Sequence, residues 1–229
     1  MDLSKSLEEI GKYFNEILGY LLPGLTLVVI IIFFLDPDQI PDKESFLNSN
    51  VLLLILLSYV IGYVVYGISL TKERIIKNIK FIKNDDKIIK QKISAQEDFR
   101  LSKQKLKALI PEMDMEKLTF NDIRNFAMAY VPEVDQKIYT FMFRSDLFKH
   151  TKDIFLFVSI WGFLSYISNK FININLFFRT NDINIYLIMI LFILTFPLNE
   201  GKKRFLMIAY KIQFNIFLAK TFPLKNENK

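Results

Sequence analysis

Lysine and arginine are the residues of this chain whose spacing invites chemistry. Residues 71–110 hold 12 of them against five acids, Glu73, Asp85, Asp86, Glu97 and Asp98. Arg74, Lys77, Lys80, Lys83, Lys87 and Lys90 form the first part of this set, and the last four fall on one face at helical spacing. Arg100, Lys103, Lys105 and Lys107 follow on a second stretch. Cations gathered in this way attract phosphate, and each phosphate contact adds salt-sensitive affinity for nucleic acid. Phe81, Phe99, Phe120, Phe126 and Tyr130 are placed among them and can stack bases. The competing reading is a solvated basic face that rests on anionic lipid headgroups.

Other chemistry is scarce. The chain has no cysteine and one histidine, His150, which excludes disulfides, thiolate metal sites, Cys nucleophiles and a histidine metal cluster within one chain. No HExxH, GxSxG, phosphate-binding GxxxxGK[ST] or GxGxxG pattern occurs. Asp85-Asp86 reads as a break in a lysine-rich helix rather than a metal site. His150 reads as a packing or headgroup residue at the start of an apolar stretch. Enzyme is the least expected class, and no cofactor or metal is expected.

The remaining polar residues of note are small and lie inside apolar runs. Ser58, Gly62, Tyr63 and Gly67 share one run, and Ser159, Gly162, Ser165, Tyr166 and Asn169 share another. Small residues let membrane helices approach closely, which is the plainer reading. The alternative is that Ser58, Gly62, Ser159, Gly162, Ser165 and Asn169 include a flank that lines a pore in an oligomer. Pro23-Gly24 is a candidate hinge, because proline removes a helical hydrogen bond.

The elements that must position these residues follow from hydropathy. The 229 residues are 52% hydrophobic and 15% aromatic, with a mean hydropathy of +0.25. Residues 17–35, 51–71, 154–169 and 183–199 contain no Asp, Glu, Lys, Arg or His. A bilayer core of about 30 Å takes roughly 17–25 helical residues, so four transmembrane helices are expected. Without ionisable residues inside them there is no proton relay or ion-coupled carboxylate. Residues 1–9 lack the basic leading region of a secretory signal, so the first span is expected to stay as an anchor.

Charge orients the spans. Segment 36–50 is acidic, whereas 71–153 holds 18 lysines and arginines against 13 acids, and the stretch from residue 199 onward adds seven bases. The positive-inside rule then predicts that both termini and segment 71–153 are cytoplasmic. The predicted organisation is an amphipathic helix over 1–16, two spans in 17–70, a cytoplasmic ligand-sensing domain over 71–153, two spans in 154–199 and a basic tail helix over 200–229. The fold class is all-α, and a symmetric homo-oligomer is expected because four short helices enclose no useful channel.

Within 71–153 the pattern is helical. Span two is expected to continue to about Ile93, with Ile75, Ile79, Ile82, Ile89 and Ile93 in a narrow seam that wants a partner. Ser94-Ala95-Gln96-Glu97 has the spacing of a capping box opening a second piece, which Pro111 stops. A third helix is predicted from Thr119, with Asp122 three residues on, to near Tyr130. A long helix then runs from Glu133 into span three, turning Val134, Ile138, Phe141, Met142, Ser145 and Phe148 inward. At the N-terminus Ser6-Leu7-Glu8-Glu9 has capping-box spacing, with Leu7, Ile10, Phe14 and Ile17 on one side. The tail places Phe205, Ile208, Ala209, Ile212, Ile216 and Phe217 at helical spacing, as an interfacial helix or one docked beneath the insertion.

Tyr13-Phe14, Tyr20-Leu21-Leu22-Pro23-Gly24, the Tyr59, Gly62 and Tyr63 spacing, and Phe141-Met142-Phe143-Arg144-Ser145-Asp146 together resemble small membrane effectors of bacterial anti-phage operons. With a basic helical insertion between spans two and three, the chain looks most like the Hailong channel subunit, and less like the membrane subunit of the Kiwa system. The resemblance implies a homotetrameric inner-membrane channel whose cytoplasmic crown binds an oligodeoxyadenylate that holds it closed. It also implies a nucleotidyltransferase encoded nearby, and it carries over no binding residue by motif. The resulting expectation is a channel or pore gated by an anionic nucleotide or single-stranded oligonucleotide. Its rival is a membrane scaffold that recruits a partner through the Ile75–Ile93 seam and conducts nothing; a transporter is weakened by the lack of internal repeats.

Overall fold

A computed structural model describes residues 3–34, 51–78, 85–172 and 182–222. Seven α-helices and one 3-10 turn account for almost all of them, and there is no strand among the described residues. The helices are α1 (Leu3–Phe34), α2 (Val51–Asn78), α3 (Asp85–Ser94), α4 (Glu97–Leu109), α5 (Phe120–Ala129), α6 (Asp135–Ile172) and α7 (Asp182–Thr221), with a 3-10 turn at Pro132–Val134. Four of them, α1, α2, α6 and α7, are long and apolar enough to cross a membrane. The chain is therefore an all-helical, multi-pass membrane protein. It divides into two units, Met1–Asn78 with Asp146–Lys202, and Ile79–Ser145 with Lys203–Lys229.

In the first unit α1 and α2 form a close pair. Gly24 lies against the backbone of Ser58, and Gly62 against the backbone of Tyr20, so neither position has room for a Cβ. Glycine serves here because backbone meets backbone. The Tyr20 ring then sits among Tyr59, Tyr63 and Tyr66, at centroid distances of 5.9, 5.0 and 5.4 Å. Phe34, Ile154, Val158 and Ile188 form a second cluster, with Leu27, Val65 and Leu191 around it. Much of the remaining apolar surface faces outward: Leu52 is 72% exposed and Phe171 77%. This inverts the distribution of a water-soluble fold, as a lipid environment requires.

The second unit has an ordinary buried core, built from one stripe of each helix. Ile89 and Ile93 come from α3, Phe99 and Leu106 from α4, Ile123 and Ala127 from α5, Val134 and Ile138 from the turn and α6, and Tyr210, Phe214 and Phe217 from α7. Spacings of three, four and seven place each set on one face. Thr119 caps α5 in a complete capping box: the Asp122 backbone donates to Thr119 Oγ1 at 3.3 Å, and the Thr119 backbone donates to Asp122 Oδ2 at 2.9 Å. These bonds hold the Asp122 carboxyl below the usual carboxylate range.

Several boundaries differ from the sequence reading. α1 runs unbroken from Leu3 to Phe34, so the helix expected over 1–16 is continuous with the first span and Ser6 lies inside it. No proline precedes Pro23, and an apolar helix once nucleated propagates backward through residues that favour it. Ser94 does not cap α4 either; it closes α3, with its hydroxyl donating to Lys90 O at 2.9 Å, and Gln96 takes the N-cap position without a side-chain bond. α2 ends at Asn78 within the described residues and α3 begins at Asp85, while Ile79 and Ile82 lie outside them. Span four and the tail are one helix of 40 residues, through both Pro197 and Gly201. Proline is tolerated at such places when a neighbouring helix supports the chain, and Gly201 lies directly on the Phe148 ring.

Candidate functional site

Several charged side chains of the first unit meet around Asp153. Lys72 on α2 meets Asp153 on α6 at 2.8 Å, and Ser69 donates to the same carboxylate at 3.1 Å. Lys152 reaches Asn199 Oδ1 on α7 at 3.2 Å and stands 3.8 Å from Asp153. Lys149 and His150 are buried on the same turn, with the His150 ring 5.3 Å from Tyr66. Ser69, Lys72, Lys152, Asp153 and Asn199, drawn from three apolar helices, thus satisfy one another, as burial demands. The cluster is a structural clasp, and no group of His, Asp and Glu suited to a metal occurs among the described residues.

The small residues within the apolar helices are packing positions. Pro23, Gly24, Ser58 and Gly62 all lie in the α1–α2 crossing. Gly162 faces Ile188, and the Ser159 hydroxyl donates to Phe155 O at 2.7 Å and lies 3.3 Å from Ile188 O. The Ser165 hydroxyl turns back to Trp161 O at 2.9 Å, and Asn169 is half-buried. An apolar groove of about 430 Å³ runs between Ser159, Phe163, Ile188 and Phe192.

In the second unit the basic residues part company. Arg100 stands 3.7 Å from Glu97, Lys103 pairs with Glu116 at 3.0 Å, and Lys107 is exposed on α4. Arg74 is exposed on α2, Lys77 lies on the same helix in the first unit, and Lys80 and Lys83 fall outside the described residues. Of these basic residues, Lys87 and Lys90 alone share a described cavity. It is an open depression of about 620 Å³ lined by Asp86, Lys87, Lys90, Gln91, Ser94, Ala95 and Phe120.

The chemistry of that depression centres on Tyr210. Its hydroxyl donates to Asp86 Oδ1 at 2.6 Å, and Lys90 pairs with Asp86 Oδ2 at 2.9 Å. Asp86 belongs to the first turn of α3, where a carboxylate also complements the helix dipole. Two cations address the Tyr210 ring, Lys90 at 5.3 Å and the Arg124 guanidinium at 5.1 Å. Arg124 is half-buried, and its Nε is buried without a hydrogen-bond partner in the described structure. Burial pushes its guanidinium below the ordinary arginine value, against the pull of Tyr210, Asp86 and Asp135. Phe120 completes the set, edge-on to Tyr210 at 5.9 Å and stacked on Phe99 at 5.4 Å.

Arg124 is the residue that sequence reasoning missed. The signal was present: the Thr119–Asp122 box fixes the register of α5, and Phe120 and Arg124 at i and i+4 must then share a face. The isoleucine seam fares differently from expectation. Ile89 and Ile93 are covered by their own core, whereas Ile75 is exposed in the first unit, so the two ends of the seam serve separate surroundings. Comparison with protein-family models, with curated proteins and with solved structures finds no match.

Proposed function

We propose that this protein is an effector of bacterial anti-phage defence, an oligomeric ion channel or pore of the inner membrane gated by an anionic nucleotide or single-stranded oligonucleotide. The reading places both termini and the second unit in the cytoplasm, four spans per subunit in the bilayer, and several copies around one axis, with no catalytic chemistry. A nucleotidyltransferase encoded nearby would supply the signal, and oligodeoxyadenylate is the ligand that the resemblance suggests. Opening would disrupt the membrane and arrest growth.

The observation that carries the reading is α7. A single unbroken helix bears the apolar window of span four and the core residues Tyr210, Phe214 and Phe217. Tyr210 is also the ring that two cations address. Anything that changes the packing of Tyr210 therefore acts on the same continuous helix that carries span four, which is the kind of link a ligand-gated channel needs. The outward apolar side chains of the first unit support self-association as well as lipid contact. The scaffold alternative loses its best argument, since Ile89 and Ile93 are buried within their own unit.

Ion flux from proteoliposomes containing the purified protein, measured before and after nuclease treatment, tests the proposal. Flux that appears or changes on nuclease treatment is expected. Liposomes that stay tight in both states refute the channel and return the scaffold reading.

A further inference from the structure

Half-buried arginine is costly unless something compensates it. Desolvating a guanidinium without a paired carboxylate forfeits hydration that a ring face restores only in part. Arg124 pairs with no acid among the described residues. Asp86 and Asp135 act on it only through space, and Asp86 is already engaged by Lys90 at 2.9 Å and by the Tyr210 hydroxyl at 2.6 Å. Asp85, the adjacent acid, faces Lys203 at 3.9 Å. Lys87 is exposed at the rim of the same depression and pairs with no acid among the described residues. The local balance is thus an Asp86–Lys90 pair that is neutral in itself, plus two cations that form no ion pair, of which Arg124 feels Asp86 and Asp135 only through space. Gln91 and Ser94 add neutral hydrogen-bonding groups to the lining, and Phe120 adds an aromatic wall.

We infer that the depression between α3 and α5, lined by Lys87, Lys90 and Phe120 and neighboured by Arg124 on the Tyr210 ring that touches Asp86 and Phe120, is a nucleotide-phosphate site. Lys87 and Arg124 meet the phosphate, and Phe120 meets the base. The inference rests on the gating reading for its biological sense, but it assigns the ligand to one place. The basic face of α4, with Arg100, Lys103 and Lys107, is excluded from it. A site here bears on Tyr210, because a phosphate drawing Arg124 or Lys90 alters the cations on that ring.

Three features distinguish the site from a general basic surface. One cation is half-buried rather than solvated, an aromatic wall stands beside the cations, and Asp86 is held by two partners in a position that would otherwise repel an anion. A surface that served only lipid headgroups would need none of these.

The test uses the full-length protein in detergent, treated with nuclease and washed at high salt. The probe is a fluorescein-labelled decadeoxynucleotide of random sequence, with ATP and tripolyphosphate as competitors. Arg124→Gln is expected to weaken binding about tenfold and Lys87→Gln three- to fivefold, the range for a charge-assisted bond at a buried and an exposed cation. A Lys117→Gln/Lys137→Gln double variant, which removes twice the charge of either single variant elsewhere in the unit, should change binding by less than about twofold. ATP should compete at least about fivefold better than tripolyphosphate if a base meets Phe120. Lys87 is exposed, so its variant stays informative even if Arg124→Gln melts early.

The outcomes separate the site from the function. Equal binding by the Arg124 and Lys87 variants and wild type, while flux still responds to nuclease, overturns the site and leaves the gating. Binding that follows the expected order without any flux response supports the site and refutes the gating. A wild-type protein that does not bind the probe refutes both, and equal competition by tripolyphosphate overturns the role of the aromatic wall.

Discussion

Replacing Gly62 by alanine adds one methyl group where α2 touches the backbone of α1. The new Cβ would fall on the Tyr20 carbonyl and lie 3.2 Å from Gly24 N, and neither atom belongs to a flexible side chain. The helices must therefore part, by roughly 1 Å or more, since a carbon and a carbonyl oxygen need a separation near 3.4 Å. Such a gap forfeits a quarter to a half of each dispersion contact across the seam, so the cost is about 2–3 kcal/mol. Alanine returns up to about 1 kcal/mol of helix propensity, for a net loss of about 1–2 kcal/mol. Gly24→Ala should behave alike, because its Cβ would meet Ser58 and come within 2.7 Å of Gly62 N. One separation relieves both clashes, so the double variant should lose clearly less than the sum of the singles. Gly67, also on α2, has nothing within 4 Å of its Cβ, and Gly67→Ala should stabilise by about 0.5–1 kcal/mol. Thermal or denaturant unfolding in one detergent, followed by circular dichroism, reads all four proteins. A Gly62→Ala protein as stable as Gly67→Ala would show that the two backbones do not touch.

Asp153→Asn removes the carboxylate that Lys72, Lys152 and Ser69 share; with Lys72 42% exposed, a loss of about 1–2 kcal/mol is expected in the same unfolding assay. Phe214→Ala empties a site in contact with Phe99 and Phe120 and should cost about 3–5 kcal/mol, seen as rapid cleavage of the second unit by a protease that spares wild type. Thr119→Ala should cost about 1 kcal/mol by uncapping α5. The cap also carries a pH signature: the Asp122 carboxyl is held below its ordinary 3.8, so its stabilisation is present above that value and lost as pH falls below it. Helix content in wild type should decline there, and Asp122→Asn should flatten that part of the profile.

Legibility in the sequence followed the range of the interactions. The four apolar helices, the Thr119 cap and the end of α4 before Pro111 rest on contacts within a few residues, and all could be read. The span-two seam could not be resolved, because the pattern at Ile75 and at Ile89 is alike whether the partner is lipid or a protein core. Ser94 illustrates a local ambiguity: a hydroxyl three residues before an acid can open one helix or close another, and here it bonds to Lys90 O. The candidate site was half legible. Lys87 and Lys90 stood out by charge, but the value of Arg124 depends on Tyr210, and nothing near α5 in the sequence announces a ring from α7.

The distance in sequence between those two partners also orders the birth of the protein. Asp86 and Tyr210 are separated by 124 positions, and two apolar helices lie between them. At ribosomal speeds of about 5–20 residues per second, that interval lasts roughly 6–25 s. Throughout it α3, α4 and α5 have been made, yet Phe99, Ile123 and Ala127 lack the three side chains that close their core. α7, made after α3, α4 and α5, is the helix that completes the unit. A nascent chain truncated before Tyr210 would leave this apolar surface uncovered, which marks an unfinished chain for chaperones and proteases.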